Sequence, residues 1–311
     1  MKAAARFGWV VLVASVTLCM AVITGCGSSA TVLTSAPETY KNSALLVSVD
    51  ELAAGLNDVN LVVIDVRSAT DYAAGHIAKA VNLTPGTFDK GGSGVDSSDL
   101  KTPADIATIL GNAGISANSR IVVYGKTVDA SAGRVFWMLE YLGAKDVHIL
   151  NGGYDNWVGD IRATVTTVPV PTAATFVPAV DDTKLATKAI VLANYSNRSS
   201  YAIVDSRDAT DPTGTKTGTM LPYSAKHIPN AINILNGDFL NADNAVKSYD
   251  DLKALLNGKG ITLDKKVITH CYVGYRSGQE YFIFRLMGYD VSNYDGSWAE
   301  WNADATLPTE P

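Results

Sequence analysis

The chain has 311 residues, 47% of them hydrophobic and 18% charged, which is enough apolar material for sizeable cores and a length that suggests two domains. It carries 25 basic and 31 acidic residues, a formal net charge of −6. Both basic residues of the leader set aside, 23 face 31 acidic ones, a balance that argues against nucleic acid as a partner.

Lys2 and Arg6 precede an apolar run from Phe7 to Ile23, followed by Thr24, Gly25 and Cys26. A charged start and an apolar stretch with small residues read as an export leader over residues 1–25. Ile23-Thr24-Gly25-Cys26 resembles a bacterial lipoprotein processing box. The resemblance implies a lipid on Cys26, a membrane tether through it, and a place in the cell envelope outside the cytoplasm, periplasmic or at the surface. An uncleaved anchor is the other reading, since the apolar run is near the lower length limit for a bilayer span. Residues 26–43, rich in Ser, Thr and Ala, read as a tether.

Residues 44–160 then alternate between strand and helix patterns. Val62 to Asp65 is a β-rich apolar run, Ser68 to Ala74 a helix or turn, and Ala80 to Leu83 a short strand. Asp99 to Asn112 is a predicted helix, Arg120 to Tyr124 a strand, Ser131 to Leu142 a helix stopped at Gly143, and Val147 to Leu150 a strand. Such interleaving implies a parallel sheet covered on both faces, an α/β fold. Residues 161–180 hold three prolines and little charge and read as an interdomain linker.

Residues 181–305 repeat the first half. LVVIDVRSATDYAAGHIAKAVNL (Leu61–Leu83) matches YAIVDSRDATD (Tyr201–Asp211) followed by KHIPNAINI (Lys226–Ile234). Asp65 and Arg67 thus correspond to Asp205 and Arg207, His76 to His227, and Asn82 to Asn233. Arg and His are 9 residues apart in the first copy and 20 in the second, an 11-residue insertion placed at Asp208 to Leu221 and expected to cover the pocket from one side. RIVVYG (Arg120–Gly125) matches KVITHC (Lys266–Cys271), and LNGGYDNW (Leu150–Trp157) matches YDGSWAEW (Tyr294–Trp301). Gly125 therefore stands where the second copy has Cys271.

Lys266 to Gly288 carries the chemistry. An apolar strand delivers Cys271 to a tight polar loop and then to a helical segment closed by Gly288. At a helix mouth the first N–H groups lack intrahelical partners and the helix dipole is positive, so a thiolate is favoured. Gly274 lets N–H groups of the loop converge on the sulfur, and Arg276 adds a permanent cation five residues on. Tyr272, Val273, Gly274, Tyr275, Arg276 and Ser277 form the expected anion cradle. Cys19 lies in the leader and Cys26 is the lipid acceptor, which leaves Cys271 as the one free thiol and no disulfide within the mature chain. A lone thiol in an oxidising compartment invites oxidation, so chemical use outweighs a buried structural role.

The Asp-x-Arg strand ends, the His-Ile-x-x-Ala-x-Asn returns, the CYVGYRS loop and the Gly-Gly or Gly-Ser then Trp segments, in this order and twice over, resemble a tandem rhodanese sulfurtransferase of the thiosulfate or 3-mercaptopyruvate type. The resemblance spans 44–305 and implies two rhodanese-like domains, the first without the catalytic cysteine. It further implies a Cys271 persulfide that moves a sulfane sulfur from a small donor to a thiol or cyanide acceptor, with a protein as another acceptor to consider. Tyr272 and Val273 match neither the basic pair of thiosulfate-specific animal enzymes nor the Gly-Ser of mercaptopyruvate enzymes. The CxxGxRS form resembles bacterial thiosulfate sulfurtransferases, so thiosulfate is favoured over 3-mercaptopyruvate.

No cofactor is required, and His76, His148, His227 and His270 lack metal-ligand spacing. Rival readings are a non-enzymatic membrane-anchored carrier of persulfide or polysulfide, a purely structural tandem module, and a cysteine phosphatase or arsenate reductase. The last places its Arg six residues after Cys, not five. Arg207 either orients substrate with Asp205 or simply pairs with it, and its repetition as Arg67 favours pairing. His76 and His227 also recur in both copies, which favours hydrogen bonding or packing. His270, a strand neighbour of Cys271, points to the opposite face and is a poor candidate base. Tyr272 and Tyr275 either line or cap the mouth, Trp298 and Trp301 belong to core and rim, and Asp129 and Ser131 shape the cysteine-less loop.

Overall fold

The computed structural model describes residues 39–91, 99–208 and 226–311. The leader, the lipid box, most of the tether and residues 209–221 of the insertion lie outside the described residues.

In the first half, β1 (Leu46–Val47), α1 (Val49–Gly55), β2 (Leu61–Asp65), α2 (Ala69–Ala74), β3 (Val81–Asn82), α3 (Pro103–Asn112), β4 (Arg120–Tyr124), α4 (Ala130–Tyr141), β5 (Asp146–Leu150) and α5 (Gly153–Gly159) follow one another. The second half runs α6 (Lys188–Asn194), β6 (Tyr201–Asp205), β7 (Ile232–Asn233), α7 (Tyr249–Gly258), β8 (Lys266–His270), α8 (Tyr275–Met287), β9 (Asp290–Asn293) and α9 (Ser297–Ala303). The strands form two parallel sheets, ordered β1-β5-β4-β2-β3 and β7-β6-β8-β9. Their central runs, such as Val63, Ile64 and Val204, are fully buried because helices cover both faces.

Helix starts follow from local chemistry. Ser48, Ser68, Thr102, Asp129, Thr187 and Ser248 each turn a side-chain oxygen onto an otherwise orphaned first-turn N–H. The helix expected from Asp99 begins at Pro103, because Thr102 caps it and proline fits the first helical position. The helix α8 has no side-chain cap from its flanking residue, Gly274.

One apolar cluster spans the inner faces of both halves, and each half has its own outer cluster. The halves meet along α4 and α8, which approach closely at Gly133 and Gly278. A Cβ on Gly133 would sit 2.6 Å from the carbonyl carbon of Gly278, so only glycine permits this crossing. Beside it Arg285 makes two 2.9 Å contacts with Glu140, which also accepts from the Tyr281 hydroxyl at 2.6 Å.

The repeat extends to how each half is fastened. His76 pairs antiparallel with Val165 and His227 with Glu310. Trp157 donates to Ala163 O and Trp301 to Pro308 O. The 161–180 segment does not swing free. Ala174 N–H donates to Gly111 O at 2.9 Å, Ala179 N–H donates to Leu142 O at 3.0 Å, and Phe176 is buried. The end of the expected tether is likewise fixed, since Asn42 N–H donates to Leu286 O at 3.1 Å and its amide to Arg285 O at 2.6 Å. Carbonyls at the end of α8 are satisfied in this way. Among the described residues no helix is long and apolar enough to cross a membrane.

Candidate active site

Strand β8 ends at His270, and Cys271 follows at the C-terminal edge of the sheet, 1% exposed. The short loop to α8 closes because Gly274 holds φ +83°, a left-handed angle that a side chain would strain. That turn aims the Gly274 N–H at Cys271 Sγ, 3.1 Å away, and the Ser277 hydroxyl lies 3.8 Å from the same atom. Burial pushes the thiol up. The Arg276 charge, the Ser277 and Val273 N–H groups and the Ser277 hydroxyl overcome burial and hold it below the ordinary thiol value. A poised thiolate at a helix mouth is a soft nucleophile, and its surrounding donors would also stabilise an anionic product.

The backbone around the sulfur is anchored from α9. Cys271 N–H donates to Ser297 Oγ at 3.1 Å, and Ser297 in turn donates to Tyr294 O at 2.7 Å. Trp298 and Ala299 N–H groups donate to Cys271 O and Tyr272 O, at 3.1 and 2.9 Å. Trp298 and Trp301 are both buried, and half-buried Tyr272 packs against their cluster. Tyr275 turns to the other half of the molecule and donates to Asp89.

Asp205 and Arg207 form a buried two-pronged ion pair, Nη2 to Oδ2 at 2.6 Å and Nε to Oδ2 at 2.9 Å. Arg207 Nη2 also donates to Lys226 O, and its guanidinium faces the Trp298 ring at 4.5 Å. Arg67 and Asp65 repeat the pair in the first half, again at 2.6 Å. In each copy the asparagine amide of the next strand, Asn82 or Asn233, bonds the carbonyls of the Asp and the Arg. This is the pairing reading of Arg207; the pair braces the strand end beside the cysteine. His270 is fully buried with Nε2 3.8 Å from Asp205 Oδ2. Burial pushes the imidazole towards its neutral form, so Arg207 is the lasting counter-charge of Asp205, whose carboxyl stays below its usual value despite burial.

Several neighbours escaped the sequence reading. A cavity of about 300 Å³ is lined by Arg276, Ser206, Asn236, Gln279, Leu235 and, from the first half, Ala130. Asn236 and Gln279 bond one another at 2.7 Å and shape its wall. A cavity of about 410 Å³ lies behind Asp295 and Gly296. The smaller one has Arg276 and Asp208 in its wall, and Cys271 lines neither cavity. Glu280, on the same face of α8 as Ser277, is fully buried, and among the described residues neither carboxyl oxygen has a hydrogen-bond partner of good geometry, the Ser206 side chain only weakly opposing its rise. Burial, then the charges of Asp205 and Cys271, push its carboxyl well up. A charged residue among Tyr281, Phe282 and Ile283 was the available signal.

In the first half Gly125 occupies the cysteine position, and Asp129 fills the space above it. Asp129 Oδ2 accepts from Lys126 N–H at 2.9 Å and Oδ1 from Ala132 N–H at 3.0 Å. A Cβ on Gly125 would lie 2.6 Å from the Asp129 carboxyl carbon. This loop is closed by its own carboxylate. Among the described residues no group of His, Cys, Asp and Glu could hold a metal ion.

Residues 48–160 and 188–304 each match the rhodanese-like domain. The chain belongs to the rhodanese family. It is 32% identical to a thiosulfate sulfurtransferase of Pseudomonas aeruginosa over 87% of this chain and 98% of that one. It is also 32% identical to the sulfur carrier protein TtuD of Thermus thermophilus, over 86% of this chain and 97% of the relative. Among solved structures, the 3-mercaptopyruvate sulfurtransferase SseA of Escherichia coli superposes with a TM-score of 0.70 at 25% identity, covering 82% of this chain and 98% of that one. The protein is thus a tandem rhodanese and a sulfurtransferase.

Proposed function

We propose that Cys271 is the sulfur-carrying nucleophile and that thiosulfate is its preferred donor. The thiolate attacks the outer sulfur of thiosulfate. The donor S–S bond breaks with its electron pair on sulfite, and Cys271 is left as a persulfide anion. A thiol or cyanide then takes the outer sulfur and returns the thiolate. The observation that carries this reading is the convergence on Cys271 Sγ of the Gly274 N–H at 3.1 Å and the Ser277 hydroxyl at 3.8 Å, with Arg276 close by. Those groups favour the attacking anion and the anion that forms. Arg276 and Ser277 hold donor and persulfide, and the fixed Asp205–Arg207 pair acts by bracing the strand end.

The Pseudomonas aeruginosa relative supports thiosulfate, the SseA likeness keeps 3-mercaptopyruvate as the alternative donor, and the Thermus relative, a sulfur carrier protein, supports the carrier alternative. The deciding experiment compares kcat/KM for thiosulfate and 3-mercaptopyruvate with cyanide or a small thiol as acceptor. Higher kcat/KM for thiosulfate supports the reading. A preference for mercaptopyruvate overturns the donor, and single-turnover loading without turnover favours the carrier.

The location we propose is the cell envelope, with lipid on Cys26 after removal of residues 1–25, supported by Lys2, Arg6, the apolar run and the Ile23–Cys26 box. Expression in a bacterium fed a labelled fatty acid tests it: label in the unaltered protein and none in Cys26→Ser is expected, and equal labelling of both would refute it.

A further inference from the structure

The cysteine-less half reaches into the Cys271 loop through one buried cation. Arg134 lies in the first turns of α4 and is 1% exposed. Its guanidinium bridges two acids from different halves, Asp89 at 3.1 Å and Asp295 through Nη1. Asp89 also accepts from the Tyr275 hydroxyl, and the Arg134 guanidinium lies 4.6 Å from the Tyr275 ring. Gly274 is in direct contact with the same group. A Cβ there would overlap Asp295 Oδ1 and come within 2.9 Å of Arg134 Nη1. Gly274 and Tyr275 are the turn and the first helical residue behind the sulfur, so the cluster lies against the peptide whose N–H points at Cys271 Sγ.

We infer that Arg134, with Asp89 and Asp295, positions the Cys271 loop from the neighbouring domain, holding Gly274 and Tyr275 so that the Gly274 N–H stays aimed at the sulfur. Arg134 is a positioning residue: it touches the loop and acts on the thiolate through that loop. Burial pushes both Asp89 and Asp295 up, and Arg134 opposes that shift in each. Its removal would strand two buried acids against the loop. The inference rests on Cys271 being the nucleophile, and it gives the domain without a cysteine a specific part in the chemistry.

Arg134→Gln removes the bridging charge at similar reach, Tyr275→Phe removes only the hydroxyl that Asp89 accepts, and Arg134→Lys returns the charge without the fork. The readout is the rate of Cys271 alkylation by iodoacetamide across about pH 5 to 9, which follows the thiolate fraction. Arg134→Gln is expected to move that profile up by roughly one pH unit, about tenfold slower alkylation on its acid side. Tyr275→Phe should move it the same way by less, and Arg134→Lys should recover part of the shift. In turnover kcat should fall while KM for thiosulfate changes little, because Arg276 is untouched. A folded Arg134→Gln protein with a lower Tm but an unmoved profile would show a merely structural residue and overturn the inference. If that variant does not fold, Tyr275→Phe decides, and an unmoved profile there overturns it too. Failure of the functional reading looks different: the unaltered protein would keep a low alkylation profile yet accept no sulfur from any donor.

Discussion

The β4–α4 and β8–α8 loops sit at equivalent places in two copies of one domain, yet differ in what caps the helix. In the first copy Asp129 is an ordinary N-cap, its carboxylate taking the N–H of Ala132, the third helical residue. In the second the flanking residue is Gly274, which has no side chain to offer, and its own N–H donates to Cys271 Sγ at 3.1 Å, with the Ser277 hydroxyl at 3.8 Å. The cysteine sulfur is, in effect, the cap of α8. Loss of a capping side chain from the loop makes the orphan amides available to a thiolate, and gain of one closes them to any visitor. The two loops thus differ in the acceptor at the helix mouth, Asp129 in one and Cys271 in the other, and in the cation Arg276, which the first copy replaces with Ala130.

The largest effect should come from removing that acceptor. Cys271→Ala is expected to drop sulfur transfer to background and also to cost about 1 kcal/mol of stability as a lost cap. Denaturant unfolding beside a cyanide assay would show both, and retained transfer would break the comparison. Arg276→Ala leaves the N–H groups in place but removes the cation, and a loss in kcat/KM on the order of a hundredfold is expected. Its alkylation profile should also move up, since Arg276 is the largest influence holding the thiol down against burial.

The inert loop offers the converse experiment. Gly125→Cys alone should give a thiol that alkylates slowly, because the Asp129 carboxyl carbon lies 2.6 Å from the position of the new Cβ. Gly125→Cys with Asp129→Gly frees the N–H groups, and the new thiol should alkylate several-fold faster at neutral pH. Equal rates in the two variants would mean that the cap exchange does not govern reactivity.

The smallest effect concerns Glu280. Its carboxyl is raised in the folded state by burial and by the charges of Asp205 and Cys271, above the 4.5 of an ordinary glutamate. Between those two values the folded protein keeps a proton that the unfolded chain has released, so stability falls as pH rises, by roughly 1 kcal/mol per pH unit inside the window. Glu280→Gln has no such proton, and its unfolding free energy should flatten over the same range. An unchanged slope would show that Glu280 is ionised in the folded state.

Much of this was readable from residue order. Alternation of strand and helix patterns, the duplicated Asp-x-Arg and His-Ile motifs and the placement of Cys271 all depend on local spacing, and β2, β4, β5, β6 and β8 stand where those patterns put them. What escaped was set by distant contacts. The two-residue strand β1 exists because it pairs with β5. Residues 161–180 read as an interdomain linker by composition, and composition gave no sign that the carbonyls of Gly111 and Leu142 hold them. Arg134, Asp89 and Asp295 carry no shared local motif, and only the crossing of α4 on α8 brings them together. Asp129 did leave a sign, an acid directly before a helical run, but its meaning depended on the missing side chain at Gly125.

The most direct test of the central claim is the intact mass of the protein after brief exposure to thiosulfate and again after cyanide. A gain of about 32 Da, one sulfur atom as a persulfide, confined to the Cys271 peptide and removed by cyanide is the expected result. A folded protein with a free Cys271 that gains no mass, or a Cys271→Ala variant that gains the same mass, would contradict it.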